Sequence, residues 1–566
     1  MPIPYRLNPM GKSNRPQSFE LVVKPGILAT DMTYGFTPYW NSDGYCSVDW
    51  GDGRKEDAVK SGTALSHIYA EAGTYTIKIK AECYQVRFDT AGAKLIESCS
   101  DTLDKLGNLT NGDRMFYRCG NALLSLTGLP EGITNGSSMF AGCTNAILPL
   151  TDLPDNVTNV SSMFNGCGKA TLPLTSLPDG ITDGSSMFQY CTEAILPLAS
   201  LPERLTSGYY MFFHCSNAQL NLTKLPEGLA DGTNMFNGCK NAKILLTSLP
   251  EGLTKGNNMF YGCSNSVFSL TSLPDGLTNG QGMFQGCSNA TLPLTSLPDG
   301  LTNGSSMFNG CSNATLPLTS LPEVLTDGTR MFQNCTNAQF TLTNTKSNLS
   351  NGSEMFRGCT NALLPIKELP STLKNAYGMF WACKNAELPL TILPDSLENG
   401  SYMFIDCSNA TLPLTSLSSS LKDGSAMFYN CKKAQLPLSS LPDGLTKGTS
   451  MFLGCTNATL PLTKLPDGLT NGAGMFSGCT NAKITLTKLP DGLTECSQMF
   501  RECTNLEVDL DTLAANAPAE GWTVLTNISF MFYGCTKVTG SRSAFLAKCP
   551  NVTNITDAFT GTNTTE

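Results

Sequence analysis

The chain has 566 residues, of which 41% are hydrophobic, and its formal net charge is −9. This acidic balance, with lysine and arginine scattered along the chain, argues against nucleic acid or an anionic membrane surface as the main partner. No stretch reaches the roughly 18 apolar residues that a membrane helix needs, so we expect no membrane insertion.

Residues 1–16 are proline-rich, weakly basic and without periodicity. They predict either a disordered tail or an extended arm that docks onto a larger assembly. The start of the chain also lacks the apolar core of a secretory signal peptide. We therefore expect synthesis in the cytoplasm without signal-directed export.

Residues 17–93 do not repeat and carry turn and strand signals. The segment 47–53 reads Ser-Val-Asp-Trp-Gly-Asp-Gly, and Gly73-Thr-Tyr75 precedes an alternating run. These patterns predict a hairpin turn at residues 51–53 followed by alternating strands. The two motifs resemble the polycystic-kidney-disease (PKD) domain family, which implies a β-sandwich that caps the open end of the array that follows.

The dipeptide Met-Phe, followed three residues after the Phe by Cys, recurs every 24 residues between residues 94 and 504. Seventeen copies run from Met115 to Met499 without insertion or deletion, and an eighteenth begins at Met531 after a step of 32. A fixed period of this length is typical of a solenoid, in which each coil buries its apolar face against its neighbours. The sequence therefore predicts one continuous core along residues 94–504.

Residues 305–328 illustrate a single coil. Phe308 and Cys311 are three residues apart and would share one face of a short helical turn. Leu316 and Leu318 belong to an alternating run with one apolar face, which predicts a short strand. Leu-Pro-Glu and Asp-Gly, which is Asn-Gly in other coils, supply two corners, where we expect glycine to adopt positive φ.

Proline, cysteine and asparagine each recur at a fixed position of the repeat, and each predicts a structural feature. Proline fills the outward strand position of most coils, so the sheet should be thin or interrupted there. Eighteen of the 23 cysteines form one column, which predicts buried free thiols in a reducing compartment. Asparagine follows most of these cysteines by two residues and predicts a structural ladder, in which a stacked asparagine can bond the backbone of the next coil.

The period breaks in residues 505–566. Eight extra residues enter around 514–521, and the last unit degenerates to Asp557-Ala558-Phe559-Thr560-Gly561. Terminal repeats are atypical because one of their faces meets water. We therefore expect irregular last repeats and a C-terminal cap over this range.

The motif Cys-x-Asn-Ala-x-Leu-x-Leu resembles the strand segment of leucine-rich repeats. Met-Phe-x-Gly-Cys combined with Leu-Pro-x-x-Leu-Thr resembles the BspA-like leucine-rich-repeat surface proteins over roughly residues 100–566. The expected fold is a mainly β or irregular solenoid, a leucine-rich-repeat-like array of 24-residue coils with short helical turns, preceded by the small β-sandwich. The resemblance also implies a role in adhesion or recognition.

The copies differ mainly at the residue after each Phe and at the two residues before each Met. These positions are often aromatic, which is unusual for purely solvent-facing residues, and exposed apolar patches often mark interaction sites. Neutral drift on an unused surface is the alternative. The candidate binding residues are Tyr209, Tyr210, Phe213, Tyr261, Tyr377, Trp381, Tyr402 and Tyr429.

Catalytic, cofactor and metal motifs are not found. The chain has no Gly-x-Ser-x-Gly elbow, no phosphate-binding P-loop and no Cys-x-x-Cys pair, and it has only two histidines. Asp49 and Asp52 could hold a cation, although two carboxylates at a turn are more often structural. We expect a non-enzymatic protein without a cofactor or a metal, and a structural role for His67.

The favoured function is a virion-associated, adhesin-like protein, such as a bacteriophage tail, fibre or head-decoration protein, that recognises a host surface protein or glycan. The arm would then contact other virion proteins, and the protein, located on the virion surface, would reach the outside of the cell by cell lysis. The alternative is an adhesin on the bacterial cell surface, exported by a route that the sequence does not reveal.

Overall fold

The computed structural model describes residues 18–566 except 27–30, 58, 90–91, 170–171, 194, 221, 243, 267, 269, 290–291, 314, 338, 341, 343–344, 346, 363 and 387, and it leaves out the side chains of 219, 315, 339 and 340. The predicted arm at residues 1–16 lies outside the described residues. The chain forms two compact units, Met1–Leu229 and Ala230–Glu566.

The first unit begins with strands that form two sheets. The strands are β1 (Phe19–Val23), β2 (Thr33–Tyr39), β3 (Cys46–Asp49), β4 (Lys55–Glu56), β5 (Leu65–Ile68), β6 (Tyr75–Ala81), β7 (Gln85–Arg87) and β8 (Ile96–Cys99), with short 3₁₀ helices at Ala93–Leu95 and Asp104–Leu106. One sheet has the order β4-β3-β6-β1-β8 and the other β5-β2-β7, and all these pairs are antiparallel.

The predicted hairpin turn at residues 51–53 is confirmed, since Asp49 pairs with Lys55 across it. Gly51 has φ +84°, and a Cβ there would lie 2.6 Å from the carbonyl oxygen of Thr76, so only glycine fits. Trp50 is fully buried, and its ring lies 5.9 Å from that of Phe36 in the other sheet.

The first sheet continues into the repeats. Strand β8 pairs antiparallel with β1 and parallel with β9 (Leu123–Leu124), which belongs to the first coil. The strand pairing therefore crosses the predicted boundary at residue 93, and Leu21 in β1 and Leu124 in β9, which both pair with Cys99, are buried.

The segment around Met-Phe carries the most regular bonding between coils, and it is not helical. In the coil that contains Phe308, every second backbone N–H, those of residues 304, 306, 308 and 310, donates to a carbonyl of the next coil at 2.8–3.0 Å. The N–H groups of Met307, Asn309 and Cys311 donate three residues back within the coil. The prediction of a short helical turn is wrong, because Ser306 and Gly310 have φ of +55° and +76°, which a right-handed helix excludes.

The corner before this segment is confirmed, with a different role for its glycine. Asn303 accepts a hydrogen bond from the backbone of Ser305 at 2.9 Å, which closes the predicted Asn-Gly turn. Gly304 does not have positive φ. A Cβ there would lie 2.9 Å from Cε of Met331 in the next coil, so glycine avoids a close approach to the end of that flexible side chain. Glycine is not required, since valine, alanine, cysteine and isoleucine fill the same position in other coils.

The Leu-x-Leu segments form only short parallel strands, as the proline-filled positions predicted. These two-residue strands are β9 (Leu123–Leu124), β10 (Ile195–Leu196), β11 (Gln219–Leu220), β12 (Thr315–Leu316), β13 (Gln339–Phe340) and β14 (Thr485–Leu486). Strand β10 pairs with β11, and β12 with β13, each with its equivalent 24 residues away.

Stacked columns form the core of each unit. In the second unit, successive Phe rings from Phe236 to Phe532 lie 5.4–5.8 Å apart wherever the pair is described, with planes within 10°. Each cysteine of the column is free and buried, and Cys335 Sγ donates to the Phe308 carbonyl at 3.2 Å. The predictions of a buried Phe column and of buried free thiols are confirmed.

The asparagine column forms a ladder of side chains. In the second unit it runs from Asn241 to Asn409, and each amide nitrogen donates to the amide oxygen one coil earlier at 2.7–3.4 Å. The prediction of a structural ladder is confirmed, but its bonds join side chain to side chain and not side chain to the backbone of the next coil, because equivalent amides stacked in register satisfy one another.

The C-terminal repeats contain the two α-helices of the described chain. They add β15 (Glu507–Asp509), α1 (Leu510–Ala515), β16 (Val538–Thr539) and α2 (Arg542–Leu546). Helix α1 is capped by Asp509, which accepts from the Thr512 N–H at 3.0 Å, and it accounts for the start of the predicted insertion. Trp522 is fully buried against Phe545 at 5.6 Å. None of the helices among the described residues is long and apolar enough to cross a bilayer.

Candidate functional site

The variable positions lie along one line of each unit, which we call the turn edge: the two residues before each Met and the two after each Phe. The residue before Met has φ between +51° and +60° in all eighteen coils, and the second residue after Phe has φ between +57° and +79°. The backbone is therefore the same in every coil, while its side chains differ. This arrangement presents variable side chains on a constant frame.

Five rings of the first unit form what we call the first aromatic cluster: Tyr190, Tyr209, Tyr210, Phe213 and His214. Tyr209 contacts Tyr210 at 4.4 Å, and Tyr210 contacts Phe213 at 4.7 Å. Tyr190, one coil earlier, lies 5.6 Å from both Phe213 and His214. Tyr190 and Tyr209 are 46% and 44% exposed. Three of the eight candidate residues thus come together in one partly exposed patch.

Tyr190 and His214 were missed by sequence reasoning. They occupy the second position after Phe, which is glycine in ten of the eighteen coils, and they have φ of +60° and +58°. A left-handed conformation costs a residue with a Cβ roughly 1–2 kcal/mol. An aromatic residue in a column that is mostly glycine was the available signal, since strained backbone of this kind is concentrated at functional sites.

The second unit contains what we call the arginine–aromatic cluster: Arg330, Glu354, Arg357, Tyr377, Trp381 and Tyr402. Glu354 lies at its centre with a side chain that is only 5% exposed. Arg330 Nε donates to Glu354 Oε2 at 2.5 Å, and Arg357 Nη1 donates to Glu354 Oε1. Burial opposes ionisation of Glu354, but the hydrogen bonds and charges of the two arginines outweigh it and lower its pKa.

Aromatic rings continue this cluster toward the next coils. The Arg357 guanidinium lies 4.0 Å from the centre of the Trp381 ring. The ring of Tyr402 is stacked with that of Trp381, with 5.9 Å between the two ring centres. Tyr377 lies 5.4 Å from Tyr402. Gly378, which has φ +55°, lies beside the indole, and a Cβ there would be in ordinary van der Waals contact with Trp381 Cε3 at 3.5 Å. Tyr377, Trp381 and Tyr402 are all half-buried.

The remaining two candidates lie apart. Tyr261 is 40% exposed and Tyr429 is half-buried, and neither makes a ring contact with another described residue. Only six of the eight predicted residues therefore belong to a cluster.

The carboxylates of Asp49 and Asp52 and the ring of His67 make contacts at the hairpin turn of residues 51–53. Asp49 accepts from the Gly51 N–H at 3.1 Å and pairs with Lys55, and these contacts lower its pKa. His67 is buried, bonds Asp52 at 2.7 Å and stacks on Trp50 at 4.9 Å. No group of three His, Cys, Asp or Glu that could hold a metal ion occurs among the described residues.

The cysteine column offers no reactive thiol at the turn edge. Cys335 and Cys383 are fully buried, and burial raises their pKa well above the usual range. The thiolate is the nucleophile and metal ligand, so these groups are chemically inert in the folded protein.

Comparison with protein families gives matches over most of the chain. The BspA type leucine rich repeat region matches in six copies over residues 110–243, 208–339 and 327–459. A Mycoplasma family of unknown function, DUF285, matches residues 446–566. No curated protein sequence matches the chain.

Two solved structures are similar to this chain at a low level. One is the leucine-rich-repeat ectodomain of the plant membrane receptor kinase GASSHO1/SCHENGEN3 from Arabidopsis thaliana in complex with CASPARIAN STRIP INTEGRITY FACTOR 2, with 14% identity over 84% of this chain and 58% of that chain and a TM-score of 0.17. The other is the PEPR1–AtPEP1 complex, with 13% identity over 84% of this chain and 75% of that chain and a TM-score of 0.13.

Proposed function

Because the chain belongs to the BspA-type leucine-rich-repeat family, we propose that it is a non-enzymatic binding protein that recognises a protein or glycan on a cell surface. The turn edge is the proposed recognition surface. Its backbone is constant from coil to coil, and its side chains vary and include clustered aromatic residues.

The first aromatic cluster carries this proposal. Its rings contact one another at 4.3–5.6 Å, yet Tyr190 and Tyr209 keep nearly half of their surface exposed. Tyrosines grouped in this way give a large apolar area with hydroxyl groups at its rim, which suits a partner surface. The backbone strain at Tyr190 and His214 would be removed by glycine, so retaining rings there favours a role outside folding.

Two locations fit such a protein. We favour a virion-associated protein, with the N-terminal arm in contact with other virion proteins and the PKD-like domain as a cap on residues 94–504. The alternative is an adhesin on the bacterial cell surface. Mass spectrometry of purified phage particles and of surface-shaved cells separates the two, because the protein should be found in only one of these fractions.

The recognition surface is tested by cell binding. Fluorescently labelled protein is incubated with a panel of bacterial cells, and the triple substitution Tyr190→Ala, Tyr209→Ala, Phe213→Ala should reduce binding about tenfold or more, since interface aromatics cost about 2 kcal/mol or more on truncation. The matched control is Ile195→Ala, an exposed residue on strand β10 away from the turn edge.

Pretreatment of the cells identifies the class of receptor. Loss of binding after protease treatment indicates a protein, and loss after periodate oxidation indicates a glycan. Binding by the triple variant that equals that of the unsubstituted protein, with an unchanged melting temperature, would contradict a role for the first aromatic cluster.

A further inference from the structure

The arginine–aromatic cluster has an excess of positive charge at its centre. Two guanidinium groups share the single carboxylate of Glu354, so the three side chains carry a net charge of +1. At the turn edge of the three coils that contain Phe332, Phe356 and Phe380, no other residue is charged. The next coil adds Asp406, which accepts a hydrogen bond from Asn430 at 3.1 Å.

The buried carboxylate holds both guanidinium groups in place. Glu354 binds Arg330 from the preceding coil and Arg357 from its own, while Trp381 covers one face of Arg357 at 4.0 Å. The side chains of Arg330 and Arg357 nevertheless remain 54% and 37% exposed. Fixed arginines lose little freedom when they bind a further acceptor, and their planar forks match a carboxylate.

We infer that Arg330 and Arg357 form a binding site for carboxylate groups of an acidic protein segment. Guanidinium–carboxylate hydrogen bonds are charge-assisted and roughly twice as strong as neutral ones. Within the described residues, Glu354 is the only acceptor that these two guanidinium groups share, so their exposed parts face outward.

The aromatic side of the cluster favours a protein over an acidic glycan. A sugar ring needs an open aromatic face, whereas the Trp381 indole has Arg357 on it from the preceding coil and Tyr402 beside it from the following coil. Packed Trp, Tyr and Arg side chains are the types that dominate binding energy at protein interfaces.

This inference rests on the turn edge being a recognition surface, as proposed above, but its test is independent of cells. The full-length protein is titrated with a fluorescent glutamate-rich peptide, with the corresponding glutamine-rich peptide and with polygalacturonate as an acidic glycan. The test variant is Arg330→Gln, Glu354→Gln, Arg357→Gln, which removes both guanidinium groups without leaving a buried unpaired carboxylate. Arg204→Gln, an exposed arginine away from the turn edge, is the matched control.

We expect the glutamate-rich peptide to bind at least about tenfold more tightly than the glutamine-rich peptide, because charge-assisted hydrogen bonds are lost in the latter. The triple variant should remove this difference, added salt should weaken binding, and the control should change nothing. Equal affinity for both peptides, or an unchanged preference in a folded triple variant, would overturn the site. Tighter binding of polygalacturonate would overturn the assignment to a protein segment.

The two proposals can fail separately. If the Tyr190, Tyr209 and Phe213 variant loses cell binding but the protein binds the glutamate-rich and glutamine-rich peptides equally, the recognition surface is supported and the carboxylate site is refuted. If the protein prefers the glutamate-rich peptide but that variant binds cells normally, the carboxylate site is supported and the role of the first aromatic cluster is refuted.

Discussion

Removing both arginines beside Glu354 should destabilise these coils more than removing the charge of Glu354 itself. The two perturbations are the double substitution Arg330→Met, Arg357→Met and the single substitution Glu354→Gln. Methionine keeps the unbranched apolar part of each side chain but cannot donate a hydrogen bond to the carboxylate of Glu354, whose side chain is 5% exposed.

The structure sets the magnitudes. The double variant leaves a buried carboxylate without a cation, which costs about 3–5 kcal/mol. Glu354→Gln keeps a hydrogen-bond acceptor and frees two arginines that are already 54% and 37% exposed, so water can solvate them and the loss should be about 1 kcal/mol. A difference of roughly 2–4 kcal/mol should therefore separate the two variants.

The stability of the unsubstituted protein and that of the double variant should also respond oppositely to pH. In the unsubstituted protein the folded pKa of Glu354 is lowered, so its stabilisation is present above the unfolded pKa of about 4.3 and is lost as the pH falls through the folded pKa. In the double variant, burial without a cation raises the folded pKa. Protonation then relieves the penalty, and the deficit should shrink as the pH falls from 7 to 5.

Hydrogen exchange of peptides that cover residues 350–360 measures the free energy of local opening in each protein. The reasoning is refuted if the double variant is no less stable than Glu354→Gln at pH 7. It is also refuted if the deficit of the double variant is the same at pH 5 as at pH 7.

Three further predictions concern the frame. Phe308→Ala should cost about 3–5 kcal/mol in hydrogen-exchange stability of its coil, whereas half-buried Phe213→Ala should cost about 1 kcal/mol; equal losses would contradict the stacked column. Cysteine labelling of the native protein by a thiol reagent should be slow and should become complete on unfolding, since burial raises the pKa of Cys335; rapid native labelling would contradict this. Asn313→Ala should lower the stability of the two adjoining coils by about 1 kcal/mol, and Asn313→Gln should not restore it.

The repeat period predicted the core well. Phe308 and Cys311 were expected to be internal because they recur at fixed positions, and both are fully buried. A thin or interrupted sheet was expected because proline cannot donate to a ladder. The strand Leu123–Leu124, which Ser125 follows, is nevertheless as short as Thr315–Leu316, which Pro317 follows. These features depend only on which residue types recur, and that information is present in a single sequence.

The backbone of the turn edge was not predictable in the same way. Nothing about Ser306 or Tyr210 indicates positive φ, because both residue types avoid that region when they are considered alone. The hydrogen bonds to neighbouring coils impose it, and they depend on contacts 23 residues apart.

The residue clusters of the turn edge were partly predictable from the sequence. Arg330 and Glu354 are 24 residues apart, as are Arg357 and Trp381, so the period alone would have paired them once stacking was assumed. The exposure of Tyr190 and the burial of Glu354 depend on local packing, and the sequence did not reveal them.

The main-chain ladder along the turn edge bonds one coil to the next whatever side chains the coils carry. Point changes on this line can therefore accumulate without loosening the frame, except where side chains also bond between coils, as Arg330 and Glu354 do. Duplication or loss of whole 24-residue blocks would likewise preserve every main-chain partner. When the partner's surface changes, such a protein can acquire a new binding surface by recombination among its own 24-residue repeats, because every rearranged coil already folds.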